Sequence, residues 1–201
     1  MLKIVLASHN KGKVAEIKAM LSDLLITLIS AAELNIPDIE ETGDTFKKNA
    51  IIKARNAAAF SGLPAIADDS GLAIEALDGA PGIYSARYAG ENATDLDRIN
   101  KALSALKDTP SAQRNAAFHC AIAFVKDADD PSPLVCEGIW PGEILNEPRG
   151  EKGFGYDPIF YVPAHQCSAA ELEPTIKNSI SHRALAMQQF KKQLQDLLVK
   201  L

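Results

Sequence analysis

Four apolar residues, Ile4-Val5-Leu6-Ala7, break into polar Ser8-His9-Asn10, and apolar character then resumes as Val14, Ile17, Met20, Leu21 and Leu24. The first run is short and continuously apolar, as a buried strand is, and the second has the three-to-four spacing of a helix face. Strand, polar loop and helix in immediate succession restrict the chain to an α/β architecture in which helices pack on a sheet.

The rest of the chain agrees with that opening. Residues 45–61 place Phe46, Ala50, Ile51, Ala54, Ala57, Ala58 and Phe60 on a second helix with an Ala-rich packing face, stopped by Gly62 and Pro64, and a short strand at 65–67 is expected next. Thr94 before Asp95, Leu96, Ile99, Leu103 and Leu106 predicts a capped third helix ending near Pro110. Phe118, Cys120, Ile122 and Phe124 alternate with His119, Ala121, Ala123 and Val125, and a second extended run covers 134–140, so two antiparallel strands are expected. Residues 141–158 are rich in Gly and Pro and long for a connection, which predicts a binding loop. Ile180, Ala184, Met187, Phe190, Leu194, Leu197 and Leu201 define a C-terminal amphipathic helix. No repeat or linker interrupts the sequence, and the expectation is one α/β domain over 1–201, helices packed on a mixed sheet.

Composition excludes several function classes. Lys and Arg number 21 against 26 Asp and Glu, a formal charge of −5 that repels a long polyanion, so no nucleic-acid partner is expected. A small anion remains admissible, because a pocket can gather a few cations locally. Cys120, Cys136 and Cys167 are too few and too widely spaced for a disulfide framework or a zinc site and fit reduced thiols. The N-terminal apolar run is too short for a signal peptide and no later run is long enough to span a membrane, which predicts a cytoplasmic protein with no membrane partner.

Two helix starts carry charge of the wrong sign. Lys11 and Lys13 fall in the first turn of the opening helix behind Asn10, its expected N-cap, where the macrodipole favours carboxylates. Lys177 precedes the last helix, expected to be capped by Asn178 or Ser179, with His182 and Arg183 in its first turn. An anion between the two ends would reverse the penalty, and a phosphate is suited to it because first-turn N–H groups are donors without helix partners. Neither a P-loop nor a Gly-x-Gly-x-x-Gly turn is present, so the cradle is built otherwise. Glu40-Glu41-Thr42-Gly43-Asp44 and Asp68-Asp69-Ser70-Gly71 read as two acidic turns whose hard oxygens suit Mg²⁺. A divalent metal beside cations that grip a polyanion is what phosphoryl hydrolysis requires.

Six blocks, in order along the chain, resemble the inosine triphosphate pyrophosphatase family in its bacterial dITP/XTP form. They are Ser8-His9-Asn10-Lys11-Gly12-Lys13 with Glu16 on the following helix, Glu40-Glu41-Thr42-Gly43 with Thr45-Phe46 and Asn49-Ala50 next to Lys53-Ala54, Ala67-Asp68-Asp69-Ser70-Gly71-Leu72, Gly79-Ala80-Pro81-Gly82-Ile83-Tyr84-Ser85-Ala86-Arg87, Gly153-Phe154-Gly155-Tyr156-Asp157-Pro158 and Ser181-His182-Arg183. Ser8 stands where Thr is usual and His9 where a small residue is expected.

The resemblance implies an elongated mixed sheet flanked by helices, two lobes with a central cleft, and a Mg²⁺-dependent homodimer. It further implies hydrolysis of deaminated purine nucleoside triphosphates (dITP, ITP, XTP) to monophosphate and pyrophosphate. By the same resemblance Glu40 and Asp69 hold metal, Asp69 is also the base acting on water, and Lys13 contacts phosphate. Ser8, His9, Asn10, Lys11, Gly12, Lys13, Ser70, Phe154, Gly155, Tyr156, Asp157, Lys177, His182 and Arg183 line the nucleotide. Phe154 offers a ring for stacking, and His182 and Arg183 offer donors to a 6-oxo purine that adenine would leave unpaired.

Overall fold

The structure, a computed structural model, describes residues 2–198. Its order is β1 (Leu2–Leu6), α1 (Lys11–Met20), β2 (Ile26–Ser30), α2 (Phe46–Ser61), β3 (Ala65–Ile74), α3 (Asp95–Ala105), β4 (Asn115–Val125), β5 (Leu134–Ile144), β6 (Phe160–Val162), β7 (Cys167–Ser168), α4 (Pro174–Ile180) and α5 (His182–Leu198). The strands form one sheet in the order β2-β1-β3-β4-β5-β6-β7. β1 pairs parallel with β2 and β3, whereas β6 pairs antiparallel with β5 and β7, so the sheet is mixed and the protein is α/β. The chain divides into two compact units, Met1–Asp69 with Cys120–Gly138 and Arg183–Leu201, and Ser70–His119 with Ile139–His182.

In the first unit the strands are apolar on both faces, as parallel strands covered on both sides are. Ile4, Leu6 and Ile66 meet Ile17 and Leu21 from the α1 side and Met187, Phe190 and Leu194 of α5. Val5, Ala65 and Ala67 instead meet Ala50, Ala54, Ala57 and Ala58 of α2, whose small side chains let helix and sheet approach closely. β2 and β3 flank β1 on opposite sides, so right-handed crossovers put α1 and α2 on opposite faces. The carboxyl end of β1, beside the first residues of β3, is therefore a topological switch point, where open α/β sheets leave room for ligands.

In the second unit Ile99 and Ala102 of α3 pack with Leu72, Ile74, Ala116, Phe118, Trp140, Ile144, Phe160 and Val162 of the strands. α3 is capped by Thr94, as its sequence predicts, the cap closing into a capping box with Asp97, and it stops at Ala105, short of Pro110. α2 runs over its expected span, with Thr45 Oγ1 accepting from Lys48 N at 3.2 Å and left-handed Gly62 closing it at φ +66°. Phe60 is the exception on that helix: it is 62% exposed and takes no part in the packing face.

Three expectations need correction. Asp68-Asp69-Ser70-Gly71 is not a turn after a short strand but lies inside the ten-residue β3, because sheet pairing overrides the local turn preference of Asp, Ser and Gly. The loop expected from residue 141 begins only after Ile144: burial alternates without a break through Cys136, Gly138, Trp140, Gly142 and Ile144, with Pro141 on the exposed side. Gly142 is there for close approach, since an added Cβ would stand 2.5 Å from Tyr161 O. Finally, Asn178 and Ser179 do not cap the last helix; they lie within the separate helix α4, and Ser181 in extended geometry breaks the chain before α5. Ile180 consequently belongs to α4, and Leu201 lies outside the described residues.

Candidate active site

β1 delivers residues 8–10 into the N-terminus of α1. Asn10 caps it as expected, Oδ1 accepting from Lys13 N at 3.0 Å, while Ser8 Oγ accepts from Asn10 N at 3.3 Å. His9 reaches Asp38 at 2.7 Å, Lys11 is exposed, and Gly12 is half-buried. Lys13 turns back to the sheet, its Nζ 2.5 Å from Asp68 Oδ1. Arg183, at the start of α5 and 1% exposed, donates from Nε to Asp68 Oδ2 at 3.0 Å and from Nη1 to Glu16 of α1. Two helix starts with misplaced cations thus converge on one anion, and that anion is the protein's own Asp68.

Cys120 Sγ on the neighbouring β4 donates to Asp68 Oδ2 at 3.0 Å. Burial by itself would raise the Asp68 pKa, but the charges of Arg183 and Lys13 outweigh it and hold the carboxyl well below the usual range. Burial likewise opposes the charge on Arg183, and Asp68 and Glu16 reverse it, raising its pKa.

Asp69 points to the other face, since successive strand residues alternate. There Lys53 of α2 donates to Asp69 Oδ1 at 2.7 Å and to Glu41 Oε1 at 2.7 Å. Asp69 is 5% exposed, and its Oδ2 is buried without a hydrogen-bond partner. Burial raises the Asp69 pKa; Lys53 and Lys13 pull it down, Glu41 adds to the rise, and the net direction is upward. Lys53 is also raised, burial being outweighed by Asp69 and Glu41. Glu40 is exposed, and the carboxylate joined to Asp69 through Lys53 is Glu41.

Among the described residues no three His, Cys, Asp or Glu side chains are grouped as a ready-made metal cage. Mg²⁺ does not need one, because it commonly takes one or two carboxylates and completes its octahedron with water and phosphate oxygens. The unpartnered Oδ2 of Asp69 is a hard, buried donor of that kind, so the residues fit such an ion.

The second unit holds the other expected residues. Gly153, at φ +76°, turns the chain so that Asp157 Oδ2 accepts from Phe154 N at 2.9 Å; a Cβ at Gly153 would stand 2.1 Å from that oxygen. The same oxygen pairs at 2.5 Å with Lys177 Nζ, which also lies 4.8 Å from the Phe154 ring centroid. Gly155 N donates to Asp95 Oδ2 at 2.6 Å, and Tyr156 Oη donates to Ser85 O at 3.0 Å. His182 is buried and stacks at 4.7 Å on Phe118, while Ser70 continues β3 half-buried after Asp69.

Within the first unit, then, Lys13, Asp69 and Arg183 come together around β3, and within the second Phe154, Asp157 and Lys177 do. Sequence reasoning assigned no role to Lys53, Glu16, Cys120 or Asp95. Lys53 did carry a legible signal, a cation set among Ala50, Ala54 and Ala57 of an Ala-rich helix.

The sequence model of the Ham1 family matches residues 4–193. The dITP/XTP pyrophosphatase of Coxiella burnetii (strain RSA 493 / Nine Mile phase I) is 60% identical over 189 residues, 94% of each chain. That of Vibrio cholerae serotype O1 (strain ATCC 39315 / El Tor Inaba N16961) is 55% identical over 196 residues, 98% of each chain. The solved structure of a HAM1 protein from Coxiella burnetii superimposes with a TM-score of 0.90 at 58% identity, covering 98% of this chain and 100% of that one.

Proposed function

This chain belongs to the Ham1 family, and from that premise we propose that it hydrolyses deaminated purine nucleoside triphosphates (dITP, ITP and XTP) to the monophosphate and pyrophosphate, removing them from the nucleotide pool. The name carried by the similar proteins of Coxiella and Vibrio supports the substrate class. The observation that carries the chemistry is Asp69: a buried carboxylate with one oxygen fixed by Lys53, the other without a partner, and an affinity for protons raised by burial.

Asp69 is the base in this reading, its carboxylate accepting a proton from water while Lys53, bonded at Oδ1, keeps it from rotating. Lys13, held by Asp68 at the head of α1, brings positive charge to the phosphate chain, and the first-turn N–H groups of α1 supply donors. Asp69 with Glu40 or Glu41 would hold Mg²⁺, which would offset phosphate charge and supply Lewis-acid polarisation there. Phe154 and His182 contact the base, and Ser8, His9, Asn10, Lys11, Gly12, Ser70, Gly155, Tyr156, Asp157, Lys177 and Arg183 complete the nucleotide contacts. The magnesium requirement, a homodimer and a cytoplasmic location belong to the same proposal; the free thiols of Cys120, Cys136 and Cys167 support the last.

Incubation with ITP and Mg²⁺ is expected to release IMP and pyrophosphate, and to stop on chelation by EDTA. Release of orthophosphate with IDP would defeat the assignment. Sedimentation of the purified protein tests the dimer.

A further inference from the structure

α2 presents two polar side chains one turn apart, Asn49 and Lys53, and residues four apart share a helix face. Lys53 grips Glu41 and Asp69. Asn49 grips the same acidic segment two residues further along: its Oδ1 accepts from Gly43 N at 2.8 Å. Gly43 fits this approach because it has no Cβ, which would stand 2.6 Å from Asn49 Oδ1.

The contact settles the orientation of the amide. A backbone N–H can only donate, so the atom facing Gly43 is the oxygen and the group cannot be flipped. Asn49 is completely buried, and its Nδ2 is left without a hydrogen-bond partner. An unmade buried donor is costly, and Asp at this position would accept from Gly43 N equally well with no N–H group to strand. Asp69 Oδ2, the other buried atom of this kind among the described residues of the first unit, belongs to the carboxylate that Lys53 holds.

We propose that Asn49 is a ligand-contacting residue: its carbonyl oxygen docks the acidic turn at Gly43, and its amide donates to an electron-rich oxygen that arrives with the ligand. That oxygen belongs either to a phosphate chain or to a water carried by the divalent cation, the two sources having one hydrogen-bonding chemistry. The inference rests on the pyrophosphohydrolase reading and adds to it a contact from the helix that otherwise serves to hold Glu41 and Asp69.

Asn49→Asp keeps an acceptor for Gly43 N and replaces the amide donor with a second carboxylate oxygen. The carboxylate is introduced at a fully buried position and is expected to lower the unliganded thermal midpoint, and in the folded variant kcat/KM for ITP is expected to fall about tenfold or more, as loss of a buried ligand hydrogen bond implies. In the intact protein, the Asn49 side-chain amide is followed by ¹H–¹⁵N NMR as Mg²⁺ alone, and then inorganic tripolyphosphate with Mg²⁺, is added. Slowed exchange and a shift with Mg²⁺ alone assign the oxygen to metal-bound water; the same change only after tripolyphosphate assigns it to phosphate.

An Asn49 amide unmoved by both additions overturns the proposal, and that readout stands even where the variant folds poorly. A folded Asn49→Asp protein with parental kcat/KM overturns it as well. An intact protein that binds tripolyphosphate yet leaves ITP uncleaved would instead sink the pyrophosphohydrolase reading.

Discussion

The carboxyl of Asp68 is fully buried between Lys13, Arg183 and the Cys120 thiol, so Asp68→Asn would leave the buried Arg183 guanidinium with Glu16 as its one carboxylate among the described residues. Breaking a buried pair in that way costs about 3–5 kcal/mol, and chemical denaturation should register a loss of that order. Asp69→Asn is expected to behave oppositely. Its raised pKa means that the folded state disfavours its ionised form, so the amide should leave the unfolding midpoint at or above the parental value while turnover is lost. Near-parental kcat in Asp69→Asn would remove its role as base. The sequence marked both residues as an acidic cluster and could not divide their labour, because the division comes from alternation along β3. Only pairing with β1 and β4 shows that the segment is strand, and only then does one carboxyl face α1 and α5 and the other α2.

At the level of elements, the legible parts were those whose signal is local. The N-cap of α1, the span of α2 and the capping box of α3 each follow from a few adjacent residues. β2 was not legible because it is defined by pairing with β1 across α1, and β6 and β7 were not because three and two residues are too few to carry a periodicity. The cations at the starts of α1 and α5 were also found locally, but their pairing with Asp68 and Glu16 was not, because it joins residues distant in sequence. This bears on how the 153–157 turn works. Gly153 combines a left-handed φ of +76° with no space for a Cβ beside Asp157, the residue that ties Phe154 N to Lys177. Gly153→Ala should therefore displace Asp157 and raise KM for ITP with a smaller change in kcat, as expected when an interaction made equally in ground and transition states is lost. A kcat defect at unchanged KM would assign the turn to the chemical step instead.

For the molecule as a whole, the two carboxyls predict that activity and structure fail at different pH. Asp68 has a folded pKa depressed below its ordinary 3.8, so the stability it contributes is complete above that value and is lost only as pH falls through the lower folded one. Asp69 is raised above 3.8, so on acidification it takes up its proton first, and the base is consumed while Asp68 still holds Lys13 and Arg183. A pH–rate profile at limiting magnesium should accordingly fall away above pH 3.8 with far-UV circular dichroism unchanged, and the spectroscopic transition should follow at lower pH. Magnesium competes with the proton for carboxylate oxygens, so raising its concentration should move the acid limb of kcat/KM downward without moving the unfolding transition by the same amount. Were both transitions to coincide at every magnesium concentration, loss of activity would reflect unfolding alone and Asp69 would not be the titrating group.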